Sequence, residues 1–308
     1  MASYTITASA PGSLMLMGEH AVLHGHLSLV AAVNRRIRVF VTPRTDRQVV
    51  IESDLGRYES SLDTLEPSSI FRFLIVLLRH TPLKVGVDIR VVSEFSHSIG
   101  FGSSAAVTVA ATAALKQLLN GSMDEENVFD HAVRIIREVQ GMGSGADVAA
   151  STFGRVVMYR AEPREIEVLG HTNVLTAVYS GSKMPTPEVV ALVEERRKLY
   201  PGIYGQIFEA IDQCVMDAAD AIQMQDWPTV GHMMNINHGL MDAIGVNNEA
   251  LSNIVFALRA DPGILGAKIS GSGLGDCAIG LGAVRSIRFP HDIIPVEIDS
   301  KGVTIEEA

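Results

Sequence analysis

"APGSLMLMGEHAVLHG", residues 10–25, changes character halfway along its length. Its apolar segment, residues 14–17, is typical of a buried strand, and Gly18 ends it. Glu19 and His20 follow at once, although a carboxylate and an imidazole are rarely buried without a partner or a task. We therefore expect this strand to deliver both side chains to a functional site, with Ser13 near the strand's start.

The composition is that of a compact α/β or α+β protein. Of the 308 residues, 47% are hydrophobic and 19% are charged, and the chain is long enough for one large or two ordinary domains. The net charge of −10 argues against a nucleic-acid groove, because a polyphosphate backbone requires a basic face. Cys214 and Cys277 form no CxxC or Cys/His cluster, which disfavours a disulfide framework and a structural zinc and fits a reducing compartment.

No segment has the pattern of a targeting signal or a membrane span. The N-terminal residues MASYTITASAPGS lack a basic region followed by an apolar one. The most apolar stretch, residues 105–115, is too short to cross a bilayer. We therefore expect a cytoplasmic protein that binds neither membrane nor nucleic acid.

Strand and helix patterns occur in blocks along the chain. Period-two alternation predicts strands in the first third, and residues 103–140 are helical in pattern, with Asp124 a candidate cap for the second helix. Strand patterns return at 154–181, helices dominate 186–260, and strands close the chain. Such blocks favour an α+β fold over a regular βαβ winding. We place a domain boundary at residue 160, which gives domains over 1–160 and 161–308.

The segment SIGFGSSAAV, residues 98–107, is the first of three glycine-rich loops. Gly100 and Gly102 permit positive φ and close backbone approach, so that several N–H groups can converge on one anion. Ser103 and Ser104 then open a helix whose N-terminus favours negative charge. A strand-to-helix turn with a serine N-cap explains the same residues equally well. The segment has neither the lysine of a Walker loop nor the third glycine of a dinucleotide fingerprint.

Two more glycine-rich loops follow. Loop two, QGMGSGADVAAS at 140–151, leads to Asp147, which is either the cap of a short helix or a group that accepts the proton of an attacking hydroxyl. Loop three, KISGSGLGDCAIGLG at 268–282, is either a glycine-rich hairpin or a further set of donors that includes Ser270 and Ser272. Three such loops in one chain, two with paired hydroxyls and one with an acid, favour phosphate chemistry.

The segments at 10–25, 99–106 and 266–281 resemble the three motifs of the GHMP kinases in residue type, order and spacing. Within that superfamily, GEHAVLHG in the first segment and SGSKMPTPEVVALV at 180–193 are most similar to mevalonate kinases. GSGADVAAS, at 143–151, is instead similar to phosphomevalonate kinases. The resemblance implies a two-lobed α+β fold, with a nucleotide-binding N-terminal lobe related to ribosomal protein S5 domain 2, a ferredoxin-like C-terminal lobe, and the active site between them.

The resemblance also implies roles for individual residues. Asp147 matches the catalytic aspartate, and Ser104 matches a Mg²⁺ ligand. The candidates for binding the ATP phosphates are Ser98, Gly100, Phe101, Gly102, Ser103 and Ser104. The candidates for binding the acceptor substrate are Glu19, His20, Lys183, Thr186 and Ser272.

The chain departs from the family pattern at two places. Mevalonate kinases usually carry a metal-binding glutamate about eleven residues before the catalytic aspartate, where this chain has Ile136. Glu138 is the candidate metal ligand nearby, or else a residue of an exposed helix face. The family lysine of A-P-G-K is Ser13 here, and a serine brings no charge to the transition state. Ser13 is therefore a candidate catalytic residue, and Lys183 a candidate replacement for the lost charge.

The leading hypothesis is an ATP- and Mg²⁺-dependent kinase that phosphorylates the primary hydroxyl of mevalonate or a similar alcohol, with Asp147 as the base. The alternatives are a phosphomevalonate kinase, another GHMP kinase or decarboxylase, and a non-catalytic homologue that binds a metabolite. A phosphomevalonate kinase should need extra basic residues for the substrate phosphate, and no Arg/Lys cluster lies near the motifs. Because relatives often dimerise, the resemblance also raises a homodimer, for which the sequence shows no interface.

Overall fold

The computed structural model describes residues 4–96, 100–170, 173–286 and 293–306, and its strands form two sheets. Within those ranges the larger sheet contains β1 (Ile6–Met17), β2 (Ser28–Pro43), β3 (Gln48–Ser53), β4 (Gly56–Ser61), β5 (Val87–Ser93), β6 (Val156–Arg160), β7 (Glu165–Leu169) and β12 (Thr304–Glu306). The smaller sheet contains β8 (Val174–Tyr179), β9 (Ile264–Ser270), β10 (Cys277–Gly282) and β11 (Ile293–Glu297).

The helices occur in two groups along the chain. The first group is α1 (Arg72–Arg79), α2 (Ser103–Asn120), α3 (Glu125–Gln140) and α4 (Ala146–Phe153). The second group is α5 (Thr186–Leu199), α6 (Pro201–Gln223), α7 (Trp227–Ala243) and α8 (Glu249–Ala260). None of the helices in the described ranges combines the length and the apolar character that a membrane crossing needs. The α+β class predicted from the sequence is confirmed.

The larger sheet has the order β12-β1-β2-β5-β3-β4, with β6 pairing to β2 and β7 to β6. The pairing is antiparallel except between β3 and β5. The register between β1 and β2 shifts between Pro11 and Gly12. Such an irregularity bends a strand and redirects the side chains that follow. Here it lies immediately before Ser13.

The helix α2 packs closely on the strands because its buried face is made of alanine. It contacts β1 and β2 as well as α3 and α4. Its buried alanines are Ala105, Ala106, Ala110, Ala111, Ala113 and Ala114. The predicted cap of α3 is confirmed, since the Asp124 carboxylate accepts the Asn127 backbone N–H at 2.8 Å. Together these contacts hold the N-terminus of α2 at the end of the larger sheet.

The smaller sheet has the order β11-β8-β10-β9, and α7 and α8 pack on β9. The helix α7 passes close to β9, because a Cβ added to Gly231 of α7 would lie 2.4 Å from the Leu265 carbonyl oxygen. The strands β7 and β12 belong to the larger sheet although both lie after residue 160. The division of the chain at residue 160 stays a prediction.

Substitution by alanine at two glycines of α7 should change the free energy of unfolding in opposite directions. We expect Gly231→Ala to lower the free energy of unfolding by about 1–3 kcal/mol, because the methyl group would collide with the backbone of β9. Gly239→Ala is the matched control, since an added Cβ meets no atom within 4 Å there, and it should raise stability by up to about 1 kcal/mol. Urea unfolding of both variants measures the difference, and equal effects would contradict the packing described for α7 and β9.

Candidate active site

A cleft of about 1290 Å³ opens between the larger sheet and the loops of the smaller one. Loops one, two and three and the end of β1 all contribute to its wall. The predicted site residues that line it are Ser13, Glu19, His20, Gly100, Phe101, Gly102, Ser103, Ser104, Asp147, Lys183, Thr186 and Ser272. Ser98 lies outside the described residues. Glu138 is absent from the described part of the cleft wall.

Loop one meets the cleft at the N-terminus of α2. Gly102 is the N-cap, at φ +60°, and Gly100 has φ +76°; both conformations favour glycine. The alternative of a serine N-cap is wrong, because Ser103 and Ser104 are the first two residues of the helix and not its cap. The first-turn N–H groups of α2 have no partner within the helix, which makes this end suited to a phosphate.

Ser13 joins loop one to loop two. Its backbone N–H donates to the Phe101 carbonyl oxygen at 3.0 Å, and its hydroxyl donates to Asp147 Oδ1 at 2.8 Å. A Cβ on Gly102 would lie 2.0 Å from Ser13 Oγ, so only a glycine can pass this close. Ser13 is thus a direct hydrogen-bond partner of the predicted base.

Asp147 is the second residue of α4 and does not cap it, because the cap is Gly145 at φ +98°. Asp147 is exposed to the cleft that it lines. Desolvation within the cleft raises the pKa of Asp147; the Ser13 hydrogen bond and the charge of Lys183 lower it, and the charge of Asp276 raises it. A carboxylate with a raised pKa is a stronger proton acceptor once ionised.

Lys183 is held by an aspartate of loop three. Its Nζ lies 2.9 Å from Asp276 Oδ2, and the Asp276 backbone N–H donates to the Ser182 carbonyl oxygen at 2.6 Å. Asp276 is 8% exposed and has φ +66°, a conformation that favours glycine. A Cβ on Gly100 would lie 2.0 Å from Asp276 Oδ1, so loop three touches loop one. Asp276 was not among the predicted site residues. The one indication in the sequence is that an acid occurs inside a glycine-rich loop.

Glu19 and His20 lie at the end of β1, where Gly18 turns the chain at φ +93°. His20 Nε2 lies 2.8 Å from the Ser272 carbonyl oxygen. Because a carbonyl only accepts, Nε2 carries the hydrogen and Nδ1 is left as an acceptor. Burial lowers the pKa of His20, which favours the neutral ring. Glu19 Oε1 accepts a hydrogen bond from the Lys268 ammonium at 2.5 Å. The sequence alone gives no sign that Lys268 is the partner of Glu19.

Glu138 lies outside the described wall of the cleft, which argues against a role as the metal ligand. It lies on the exposed side of α3, and its Oε2 is 2.7 Å from His80 Nε2. Ile136 lines the cleft, and two residues along a helix rotate the side chain by about 200°. In the described part of the chain, no group of three or more His, Cys, Asp or Glu side chains is placed to hold a metal ion.

Comparison with known proteins agrees with this geometry. The family description "GHMP kinases N terminal domain" matches residues 68–155, "GHMP kinases C terminal" matches 218–287, and "Galactokinase galactose-binding signature" matches 2–43. The mevalonate kinase of Archaeoglobus fulgidus is 37% identical over 97% of this chain and 99% of its own, and that of Pyrococcus furiosus is 31% identical over 98% of each. A Lin0012 protein from Listeria innocua has the same fold, with a TM-score of 0.85 at 20% identity over 99% of this chain and 100% of that chain.

The fold and the cleft define a GHMP kinase, and the predicted two-lobed fold class is confirmed. Within that class, the chain belongs to the mevalonate kinase family. It is therefore a phosphotransferase that uses ATP and acts on a hydroxyl group of a small molecule.

The position of Glu138 gives a direct test of where the metal is bound. We expect Glu138→Gln to leave kcat, and the Mg²⁺ concentration that gives half-maximal rate, within about two-fold of wild type, because the side chain lies outside the cleft. Steady-state assays over a Mg²⁺ titration measure both values. A large rise in the Mg²⁺ requirement would return Glu138 to the site.

Proposed function

We propose that this kinase transfers the γ-phosphoryl group of ATP to the primary hydroxyl of mevalonate. One observation carries the proposal: Asp147, hydrogen-bonded to Ser13, shares a cleft with the open N-terminus of α2. A proton acceptor and a phosphate cradle in one cleft are what a hydroxyl-directed kinase requires. The names of the relatives at 37% and 31% identity support mevalonate as the acceptor.

In the proposed reaction Asp147 accepts the proton of the attacking hydroxyl. The oxygen of the acceptor forms a bond to the γ-phosphorus while the bond from that phosphorus to the bridging β–γ oxygen breaks, and ADP leaves. Ser13 donates a hydrogen bond to Asp147 Oδ1, which orients the carboxylate and leaves Oδ2 for the acceptor hydroxyl. Positioning by these two side chains supplies much of the rate, because phosphoryl transfer needs little covalent help.

The donor set of the cleft fits a nucleotide with its Mg²⁺. The N–H groups of loop one and of the first turn of α2 would hold phosphate oxygens, and the Ser104 hydroxyl would hold the metal. Mg²⁺ in nucleotide sites is usually bound by one or two protein oxygens together with phosphates and water, so no cage of carboxylates is needed. The ion would neutralise charge on the phosphates.

The charge that the family lysine usually supplies comes, in this proposal, from Lys183. Its ammonium is held by Asp276 and is close enough to Asp147 to lower the pKa of that carboxyl. A fixed positive charge there stabilises the negative charge that develops on the acceptor oxygen. Ser13 keeps the hydrogen-bonding role of the missing lysine and Lys183 supplies its charge.

The acceptor pocket is formed by Glu19, His20, Thr186 and Ser272, which line the cleft beside these groups. Among the described lining residues, the Lys and Arg side chains are Arg72 and Lys183. Lys183 is already paired with an aspartate, which leaves few cations for a second substrate phosphate and favours mevalonate over phosphomevalonate. A cytoplasmic location and a homodimer stay predictions from the sequence and its resemblance.

Asp147→Asn tests the proposed base. We expect kcat with mevalonate to fall at least about 100-fold, because an amide cannot accept the proton, while ATP binding measured by calorimetry is retained. Asp220→Asn, on the exposed side of α6, is the matched control and should have no effect. Coupled ADP release with mevalonate, phosphomevalonate, homoserine and galactose identifies the acceptor. ATP binding without turnover on any of them would favour a non-catalytic homologue, and a preference for phosphomevalonate would replace the proposed substrate.

Lys183→Met tests the proposed source of charge through the pH profile. Lys183 lowers the pKa of Asp147, so its loss should raise that pKa further. Because Asp147 acts as a base only when ionised, the acid limb of kcat/KM should move to higher pH, and kcat on the plateau should fall about 10- to 100-fold. Lys198→Met, at the exposed end of α5, is the control. An unshifted acid limb with full activity would show that Lys183 has no part in catalysis.

A further inference from the structure

Lys268 is a fully buried lysine in an apolar strand. Its side chain, in the middle of β9, is 0% exposed. The ammonium donates to Glu19 Oε1 at 2.5 Å and to the Ile269 carbonyl oxygen. Burying a lysine and a glutamate together removes both charges from water, and a pair of apolar side chains in their place would often be at least as stable. The pair therefore calls for an explanation beyond stability.

The ion pair links the two sheets beside the cleft. Glu19 follows β1 of the larger sheet, whereas Lys268 belongs to β9 of the smaller one. Only Glu19 lines the cleft. Its second oxygen, Oε2, is buried and has no partner of normal hydrogen-bond geometry in the described part of the chain. Lys268 thus binds one oxygen of a carboxylate whose other oxygen is unpartnered among the described residues.

The 2.5 Å contact with the Lys268 ammonium favours an ionised Glu19 carboxylate, which accepts hydrogen bonds. Burial raises the pKa of Glu19, and the charge and hydrogen bond of Lys268, together with the backbone N–H groups of Glu19 and Gly271, oppose that rise. An ionised carboxylate is only an acceptor, so its free oxygen would bind a hydroxyl of the acceptor molecule and would repel a carboxylate. The neighbouring His20 is held by Ser272, so the residues at this end of β1 are constrained on both sides.

We propose that Lys268 is a positioning residue for the acceptor substrate: by binding Glu19 Oε1 it orients Glu19 so that Oε2 accepts a hydrogen bond from an acceptor hydroxyl. The inference rests on the proposed function, since it takes Glu19 as part of the acceptor pocket. Lys268 itself does not touch the substrate. Its effect should therefore appear in the KM for the acceptor and not in the KM for ATP.

The test uses the full-length protein with Lys268→Met, Glu19→Gln, and the two changes together, assayed for kcat, both KM values and the midpoint of urea unfolding. Lys268→Met leaves a buried carboxylate unpaired, so it should raise the KM for mevalonate at least about ten-fold and also lower the urea midpoint. The double variant has no buried charge at this place, so its urea midpoint should return close to that of wild type. Its KM for mevalonate should nevertheless stay high, because a neutral amide oxygen accepts a hydrogen bond more weakly than a carboxylate and is no longer oriented by Lys268, while the KM for ATP stays within about two-fold.

The control is Arg36→Met with Asp299→Asn, which removes a partly buried ion pair away from the cleft. It should alter the urea midpoint and leave both KM values unchanged. If the Lys268→Met/Glu19→Gln variant has a wild-type KM for mevalonate, the pair is only structural and the proposal fails. Equal rises in the two KM values would overturn it as well. A wild-type enzyme that releases no ADP with mevalonate would overturn the proposed function, and this inference with it.

Discussion

The active cleft depends on the close approach of loop one to β1. Gly102 passes so near Ser13 that a Cβ there would lie 2.0 Å from the hydroxyl oxygen, and the Ser13 N–H donates to the Phe101 carbonyl oxygen. Glu19 follows the end of the same strand, so docking loop one on β1 sets the N-terminus of α2, the proposed phosphate site, relative to the proposed acceptor pocket. Phosphoryl transfer is sensitive to this placement, because in-line geometry and electrostatics supply most of the catalysis.

The charges of the cleft are arranged in pairs that reach across the fold. Lys183 and Asp276 link the segment after β8 to loop three, and Glu19 and Lys268 link the two sheets. Lys183 and Asp276 both line the cleft, whereas in the second pair Glu19 lines it and Lys268 does not. In the proposed reaction, such an arrangement allows a serine at the usual lysine position, since the positive charge would come from Lys183 on another segment.

Much of the fold follows from local pattern. Alternation predicts β2 and β5, and the alanine-rich run predicts α2, because each pattern is sustained over many residues. The short helix α1 was not predicted, because its continuous apolar run, FLIVLL, is too brief to distinguish a helix from a buried strand. The cleft-lining residues of the three loops could be proposed from the sequence because the chemistry of phosphate binding restricts residue type and order.

Two physical reasons limit what the sequence predicts at the site. Counting back from Asp147 leads to Glu138, but a shift of two residues on a helix moves a side chain to the opposite face. Asp276 and Lys268 were missed because their partners, Lys183 and Glu19, are distant in sequence. A lone charge in an apolar or glycine-rich segment indicates that a partner exists without indicating which one.

In the proposed reaction Asp147, held by Ser13, accepts the proton of the acceptor hydroxyl. A crystal structure with a non-hydrolysable ATP analogue, Mg²⁺ and mevalonate would show the reacting groups together. We expect the primary hydroxyl oxygen within about 3 Å of Asp147 Oδ2 and in line with the γ-phosphorus, with the Ser13 hydrogen bond to Oδ1 intact. A primary hydroxyl that lies beyond hydrogen-bond reach of Asp147, and next to another proton acceptor, would contradict it.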